Sequence, residues 1–321
     1  MESSNPMETE ALVGEALARS DSSRHLAAAA VSLGELARQA YAGDPAAWAR
    51  LHKLLYELHE RVEPATFAIR QWLASTVYEL EERRAIETAS CEPPSEEGFS
   101  ACLISAQRAR PGEVHPLARH MFEGQPSRRD IQIYIRHQWY RARTFYRLVA
   151  DLAARLPLEE AAILYENLMD EVGGGVPARA HPMLFRRLLE HLGIPHDDEP
   201  SETDAHVYLN NRTRCVRSAD PAWGLGMLFS IELGTPEIHG RIHRMLRRAD
   251  VPETVCEFHR LHSHVDAEHS RQLLELIARR IRGAEQQQTC LISLVHHRRL
   301  AVRYFDRIWG EMQQARPGES S

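Results

Sequence analysis

Residues 258–280, FHRLHSHVDAEHSRQLLELIARR, contain the most informative pattern of this chain. The stretch is predicted to form one helix, because apolar residues recur at helical spacing after its histidines. At about 100° per residue, His262, Asp266 and His269 lie within about 60° of one another around that helix. Imidazole and carboxylate groups on one stripe are typical ligands of iron, manganese or zinc. The stripe therefore predicts a metal site, and the alternative is a polar surface in a chain with 18 histidines.

The other polar residues of this stretch are assigned by their rotation around the helix. His264 and Glu268 are predicted to point to the opposite, solvated face. His259 lies about one turn before the stripe, on nearly the same side. His259 is therefore the main rival for a ligand position.

A second pair of candidate ligands flanks a glycine-rich break. A helix is predicted to end at Glu171, the chain breaks at Gly173–Gly175, and a new helix begins near His181. Pro182 suits the first turn of the new helix, where its missing N–H is not needed. The side chains of Glu171 and His181 can therefore meet at one point. The alternatives are a surface charge at the helix end for Glu171 and a capping role for His181.

A third carboxylate lies in a strongly apolar helical segment. Residues 223–239, WGLGMLFSIELGTPEIH, include Glu232. Burying an ionised carboxylate is unfavourable unless the group is paired or binds a metal. Glu232 is therefore a candidate ligand, and an arginine partner is the alternative in this Arg-rich chain.

The combined pattern resembles that of the haem-oxygenase-like diiron oxidases and oxygenases, all-helical proteins that bind two irons rather than haem. The resemblance covers roughly residues 100–310 and includes the stretch ENLMDEVGGG at 166–175. Glu166 is an alternative first carboxylate, but it lies about 140° from Glu171 on a helix, so both cannot face one site. The iron ligands that the resemblance implies are Glu171, His181, Glu232, His262, Asp266 and His269.

The resemblance also implies an activity. It indicates an oxidoreductase with two iron ions, O2 as co-substrate and an external reductant, for which a reductase or ferredoxin is the expected partner. An N-terminal helical unit before the diiron domain is similar to the layout of the family's N-oxygenating members, which favours N-oxygenation of a small amine, amino acid or guanidine. Oxidative C–C cleavage or desaturation of an amino acid or fatty acid is the alternative. A third interpretation is a metal-free enzyme or binding protein of the same superfamily, although such proteins lack the full set of six ligands.

Composition limits the class of protein. The chain has 321 residues, of which 43% are hydrophobic and 26% charged, as in globular proteins. Its net charge of −6 argues against a nucleic-acid-binding protein. The five cysteines show no CxxC pairing and are expected to be reduced thiols. No apolar run reaches about 18 residues and no signal-peptide core is present, so we expect a cytoplasmic protein that does not bind membranes.

The chain is predicted to be all-α, with a haem-oxygenase-like helical bundle that follows an extra helical unit. No strand pattern occurs. The predicted segments are a disordered tail at 1–24, an N-terminal helical unit at 25–86, a linker at 87–99, the diiron domain at 100–313 and a disordered tail at 314–321.

The N-terminal unit is predicted to mediate a homodimer. So short a helical unit buries little core of its own. A second copy of the chain would cover its apolar faces. The side chains expected to need this partner surface are Trp48, Leu51, Leu55, Phe67 and Trp72.

Overall fold

The computed structural model is helical throughout the part of the chain that it describes. The described residues are 6–19, 23–61, 63, 65–89, 98–108 and 115–315, and every regular element within them is a helix. This confirms the all-α prediction. Contacts divide the chain into two compact units, Met1–Ser90 with Ser201–Arg214 and Cys91–Pro200 with Cys215–Ser321.

The fifteen α-helices of the described residues follow one another with short connections. The N-terminal helices are α1 (Pro6–Ala18), α2 (Ser23–Tyr41), α3 (Pro45–Glu60), α4 (Phe67–Ser75) and α5 (Tyr78–Thr88). The remaining helices are α6 (Phe99–Arg108), α7 (Pro116–Phe122), α8 (Arg128–Ala142), α9 (Phe145–Ala153), α10 (Leu158–Glu171), α11 (His181–Leu192), α12 (Thr203–Arg217), α13 (Pro221–Arg248), α14 (Glu257–Arg280) and α15 (Ala284–Gln314). None of these helices is long and apolar enough to cross a lipid bilayer.

The first helix corrects the predicted disordered tail. Residues 6–18 form α1, in which Val13 and Ala16 are buried. The hydroxyl groups of Thr9 and Ser32 join α1 to α2 across 2.8 Å. The prediction was wrong for these residues because a few small apolar side chains of α1 pack against a neighbouring helix. The average composition of the segment is polar and does not reveal these contacts. Most of the predicted linker, residues 90–97, and most of the C-terminal tail, residues 316–321, lie outside the described residues.

The N-terminal unit has a core of its own. Leu51 and Leu55 are fully buried in a cluster built from α1 to α5, and Trp48 packs against that cluster. The expectation that Leu51 and Leu55 need a partner surface was therefore wrong, because neighbouring helices cover them. On α4, by contrast, Phe67 and Trp72 are exposed, at 36% and 48% of their surface.

The second unit is organised around α13, which packs along both α14 and α15. Gly226 allows the close approach of α13 to α15, because a Cβ atom at this position would overlap the carbonyl oxygen of Cys290. The helix also continues through Pro236. Since proline has no N–H, the carbonyl of Glu232 loses its usual helical hydrogen bond. The backbone of α13 therefore lacks one helical hydrogen bond at the candidate ligand Glu232.

Candidate metal centre

Three side chains from α10, α11 and α14 form a first buried group. The ligand atoms of Glu171, His181 and His262 all lie within 4.8 Å of one another. The three residues retain only 3%, 5% and 6% of their surface. Glu171 Oε1 is 3.1 Å from His181 Nδ1, without the alignment of a hydrogen bond. The prediction that the two sides of the glycine break meet at one point is thus confirmed.

The glycine break is what lets the two helices present these ligands together. Gly173, Gly174 and Gly175 adopt φ values of 73°, 62° and 82°, a region that side chains disfavour. At Gly173 a Cβ would also lie 2.5 Å from the backbone nitrogen of Ala180. The chain can therefore fold tightly enough to place the start of α11 beside the end of α10.

A second buried group joins α13 to α14. It contains Glu232, Asp266 and His269, whose ligand atoms again lie within 4.8 Å of one another. His269 Nδ1 is 3.7 Å from Glu232 Oε2 and 3.8 Å from Asp266 Oδ1. The two groups adjoin through α14, where His262 Nδ1 lies 2.8 Å from Asp266 Oδ1. All six predicted residues are thus brought together, as two groups of three.

The donor atoms left without partners fit a metal. Among the six candidate ligands, four buried atoms make no hydrogen bond: Glu171 Oε1, His181 Nδ1, His262 Nε2 and His269 Nδ1. Leaving one such group buried and unsatisfied costs about 1–3 kcal/mol. A cation bound between these atoms would remove that cost. Oxygen and imidazole nitrogen donors together suit iron.

Burial and neighbouring charges shift the pKa values of several candidate ligands. Burial raises the pKa of Asp266 well above its ordinary value, and the neighbouring carboxylate of Glu232 raises it further. Burial lowers the pKa of His262 to about 4. Burial would also lower the pKa of His269, but its contacts with Glu232 and Asp170 outweigh this and raise it to about 9. A bound divalent cation would compensate this negative charge and favour the ionised carboxylates.

Two contacts around the candidate ligands were not predicted from the sequence. Asn167 Nδ2 donates a hydrogen bond of 3.0 Å to Glu232 Oε1, and His269 Nε2 donates one of 3.0 Å to Asp170 Oδ2. Contacts of this kind orient metal ligands. Asn167 lies four residues before Glu171, so both side chains lie on one face of α10, and this spacing could have identified Asn167 from the sequence. Asp170 directly precedes Glu171.

The structure also decides between the rival residues. Glu166 lies at the surface, where its Oε2 is 3.4 Å from Gln272 Nε2, whereas Glu171 is buried in the first group. His264 and Glu268 are exposed, as predicted. Among the described ion pairs, Glu232 is paired with His269 and with no arginine.

His259 occupies a different position from the two groups. It is 1% exposed, and its Nδ1 lies 3.2 Å from Nδ1 of His239, which the sequence analysis missed. The ring of His239 is in turn 4.8 Å from that of His262. Burial lowers the pKa of both His239 and His259 well below the ordinary value, so both are neutral. Phe258 packs on His262 at 4.4 Å between ring centres and adds to the apolar surroundings.

Comparisons with known proteins agree with this architecture. Residues 132–303 match the family model described as iron-containing redox enzyme, and residues 2–84 match that of the haem-oxygenase-associated N-terminal helices. The first match includes all six residues of the two groups. No match was found among curated proteins.

Solved structures share the fold. A domain of unknown function with a haem-oxygenase-like fold from Shewanella denitrificans OS217 has a TM-score of 0.55 and 16% identity, over 70% of this chain and 94% of that one. A CADD-like protein of unknown function from Nostoc punctiforme PCC 73102 has a TM-score of 0.55 and 16% identity, over 73% of this chain and 99% of that one. The prediction of a haem-oxygenase-like fold is confirmed.

Proposed function

Because this chain belongs to the family of iron-containing redox enzymes, we propose that it is a non-haem diiron oxygenase that N-oxygenates a small amine, amino acid or guanidine. The observation that carries the proposal is the pair of adjoining buried groups, each with at least one histidine and one carboxylate. One group of three donors suits one metal ion. Two such groups therefore support a site for two.

The residues of the two groups have complementary roles in this proposal. A pair of iron ions, when bound, supplies the electrons that reduce O2. Glu171, Glu232 and Asp266 compensate the positive charge of the metal, and the histidines supply nitrogen donors. Asp170 holds His269 in the tautomer whose Nδ1 faces Glu232 and Asp266.

The surroundings of the site have their own role. Phe185 and Phe258 pack against each other at 4.6 Å between ring centres, beside His181 and His262. Such an apolar shell keeps bulk water away from the reacting groups. Exclusion of water would protect a reduced oxygen species from release before it meets the substrate.

N-oxygenation is favoured over C–C cleavage by the layout of the chain. Residues 2–84, which match the model of the haem-oxygenase-associated N-terminal helices, precede the catalytic domain. This order is similar to the layout of the family's N-oxygenating members. Hydroxylation of an amine nitrogen forms one N–O bond, releases the second oxygen atom as water, and consumes two electrons and two protons. An external reductant must supply these electrons.

The first test is the number of iron ions bound. Anaerobically loaded protein should bind close to two Fe(II) per chain, because the six donors form two groups. His262→Ala and His269→Ala should lower this number and abolish O2-dependent activity. His264→Ala is the matched control on the same helix and should change neither. A saturating value of one Fe(II) or fewer in the unaltered protein would contradict the diiron proposal.

The second test identifies the reaction. Iron-loaded protein is exposed to labelled O2 with a panel of amines, amino acids, guanidines and fatty acids, and products are examined by mass spectrometry. We expect a hydroxylamine, nitroso or nitro product with 18O in the new N–O bond. An alkene or a shortened carbon skeleton without added oxygen would instead favour oxidative cleavage or desaturation.

A further inference from the structure

A surface groove lies between α10 and α14, beside the candidate metal centre. Its volume is about 650 Å³, which is within the range of small-molecule sites. One wall is a single face of α10 that runs from Ala162 to Asp170, and the other is a face of α14 that runs from Val265 to Gln272. The groove is thus built from the same two helices that carry Glu171 and three of the other five candidate ligands, His262, Asp266 and His269.

One side chain belongs both to the groove and to the candidate centre. His269 lines the groove, although only 5% of its surface is exposed. Its Nε2 donates to Asp170, which also lines the groove, and its Nδ1 faces Glu232 and Asp266. A molecule bound at Asp170 is therefore separated from Glu232 and Asp266 by the imidazole ring of His269.

Two large apolar side chains are exposed to water inside this concave groove. Tyr165 and Met169 are 42% and 50% exposed and lie one turn apart on the α10 wall. Val265 faces them from α14. Covering these side chains with an apolar molecule is favourable, because it removes their surface from water.

Apart from His269, which pairs with Asp170, the charged side chains of the groove are acidic. Its lining includes three carboxylates, from Glu166, Asp170 and Glu268, and no arginine or lysine. Arg271 neutralises Glu268 through a hydrogen bond of 2.9 Å. Neither Glu166 nor Asp170 forms an ion pair with arginine or lysine among the described residues, although the chain has 39 such residues.

These two carboxylates also repel each other. Glu166 and Asp170 are four residues apart on one helix, a spacing at which like charges destabilise the helix. A cation between them would relieve the repulsion. Arg271 cannot readily do so, because Glu268 and Glu275 both bind its guanidinium group.

We propose that this groove binds a small organic cation with an apolar body and without a carboxylate group. Its ammonium or guanidinium group would bind Glu166 and Asp170, and its apolar body would cover Tyr165 and Met169. This inference rests on the proposed function and narrows its substrate class to amines and guanidines that are not free amino acids. The one group of the groove that can carry positive charge, His269, already donates to Asp170, so it is not free to receive the carboxylate of an amino acid.

Three related probes test the proposal on the metal-free full-length chain. They are 2-phenylethylamine, 2-phenylethanol, which lacks the charge, and phenylalanine, which adds a carboxylate. Calorimetry or ligand-detected NMR gives their dissociation constants. We expect the amine to bind at least about tenfold more tightly than either relative, since a charged hydrogen bond contributes about that factor.

A matched pair of variants locates the binding. Glu166→Gln should weaken binding of the amine by about tenfold. Glu159→Gln makes the same change at an exposed position of α10 outside the groove and should have no effect. Circular dichroism should show unchanged folding, because both side chains lie at the surface.

Each contrary outcome is decisive. The proposal is overturned if the amine fails to bind up to about 10 mM, if phenylalanine binds as tightly, or if Glu166→Gln binds the amine as the unaltered protein does. Iron loading of the unaltered protein distinguishes this failure from failure of the proposed function. If the unaltered protein binds iron normally but does not bind the amine, only the groove is rejected, and if it binds the amine but no iron, only the diiron oxygenase is rejected.

Discussion

At the scale of single residues, the hydrogen bond between Asp170 and His269 has the clearest consequence. His269 Nε2 donates to Asp170 Oδ2 at 3.0 Å, which leaves Nδ1 facing Glu232 and Asp266, where it would be the nitrogen available to a metal ion. Partners of this kind commonly change metal affinity by about 10–100-fold. Asp170 is therefore a positioning residue for His269.

Replacement of Asp170 tests this role. Asp170→Ala should weaken Co(II) or Fe(II) binding at one of the two proposed sites by about tenfold or more, because the orientation and tautomer of His269 are no longer held. Asp170→Asn keeps an acceptor oxygen and should restore most of the affinity. The measurement is a titration that follows the visible absorption of bound Co(II). Equal affinity in the alanine variant and the unaltered protein would reject the role.

At the scale of helices, the contact of α13 with α15 depends on Gly226. A methyl group there would overlap the carbonyl oxygen of Cys290, so the two helices would have to separate. Gly226→Ala should lower the free energy of unfolding by about 1–3 kcal/mol, the usual cost of overpacking. It should also weaken metal binding, because α13 carries Glu232.

The same substitution on α15 provides the control. Gly310 lies within α15, and a Cβ there would meet no atom within 4 Å. Gly310→Ala should therefore raise the free energy of unfolding by about 0.5–1 kcal/mol, because alanine favours the helix more than glycine. Urea denaturation of both variants gives the comparison. Equal effects at the two positions would show that the close approach of α13 to α15 is not required.

A second link between helices predicts a pH dependence. Glu311 of α15 contacts His137 and Arg136 of α8, with 2.8 Å between Glu311 Oε2 and His137 Nε2. Burial raises the pKa of Glu311, but its hydrogen bonds and charge interactions with His137 and Arg136 outweigh burial and lower it to about 2. An unfolded glutamate titrates near about 4.3. The contribution to stability is therefore complete above that value and is lost as the pH falls from about 4 through about 2.

The variant Glu311→Gln should reveal this contribution. We expect the free energy of unfolding to fall by about 1–2 kcal/mol at pH 7, given that the ion pair is partly exposed. The difference from the unaltered protein should shrink as the pH approaches 3, where the lost charge no longer matters. Urea denaturation at several pH values measures both. A difference that does not depend on pH would indicate a loss of packing alone.

At the scale of the whole molecule, assembly is the main prediction. The N-terminal unit leaves Phe67 and Trp72 exposed on α4, although most of its other apolar side chains enter its own core. Burial of such side chains against a second copy of the chain would remove their surface from water. We therefore predict a homodimer through this unit, with about twice the chain mass of 36.6 kDa in light scattering at micromolar concentration.

A pair of surface variants tests where the dimer forms. Trp72→Glu should shift the protein toward the monomer. Leu158→Glu changes a residue of the second unit that is 74% exposed, and it should leave the mass unchanged. A monomeric mass for the unaltered protein would contradict the prediction.

The helical class and most helix positions could be predicted from the sequence alone. These depend on local features, such as the spacing of apolar residues, the break at Gly173–Gly175 and Gly193, which ends α11 with a φ of 71°. The six candidate ligands could also be chosen from the sequence, because histidines and carboxylates in apolar helices are unfavourable without a partner.

The grouping of those residues could not be predicted from the sequence and follows from the packing of the helices. The division into two groups, the burial of Glu171 instead of Glu166, and the contacts of Asn167 and Asp170 depend on how each helix is rotated against its neighbours. The burial of side chains of α1 likewise depends on packing against α2 and could not be predicted from the composition of residues 1–24. Helix periodicity is a property of adjacent residues, whereas rotation and docking result from packing between segments that are distant in the chain.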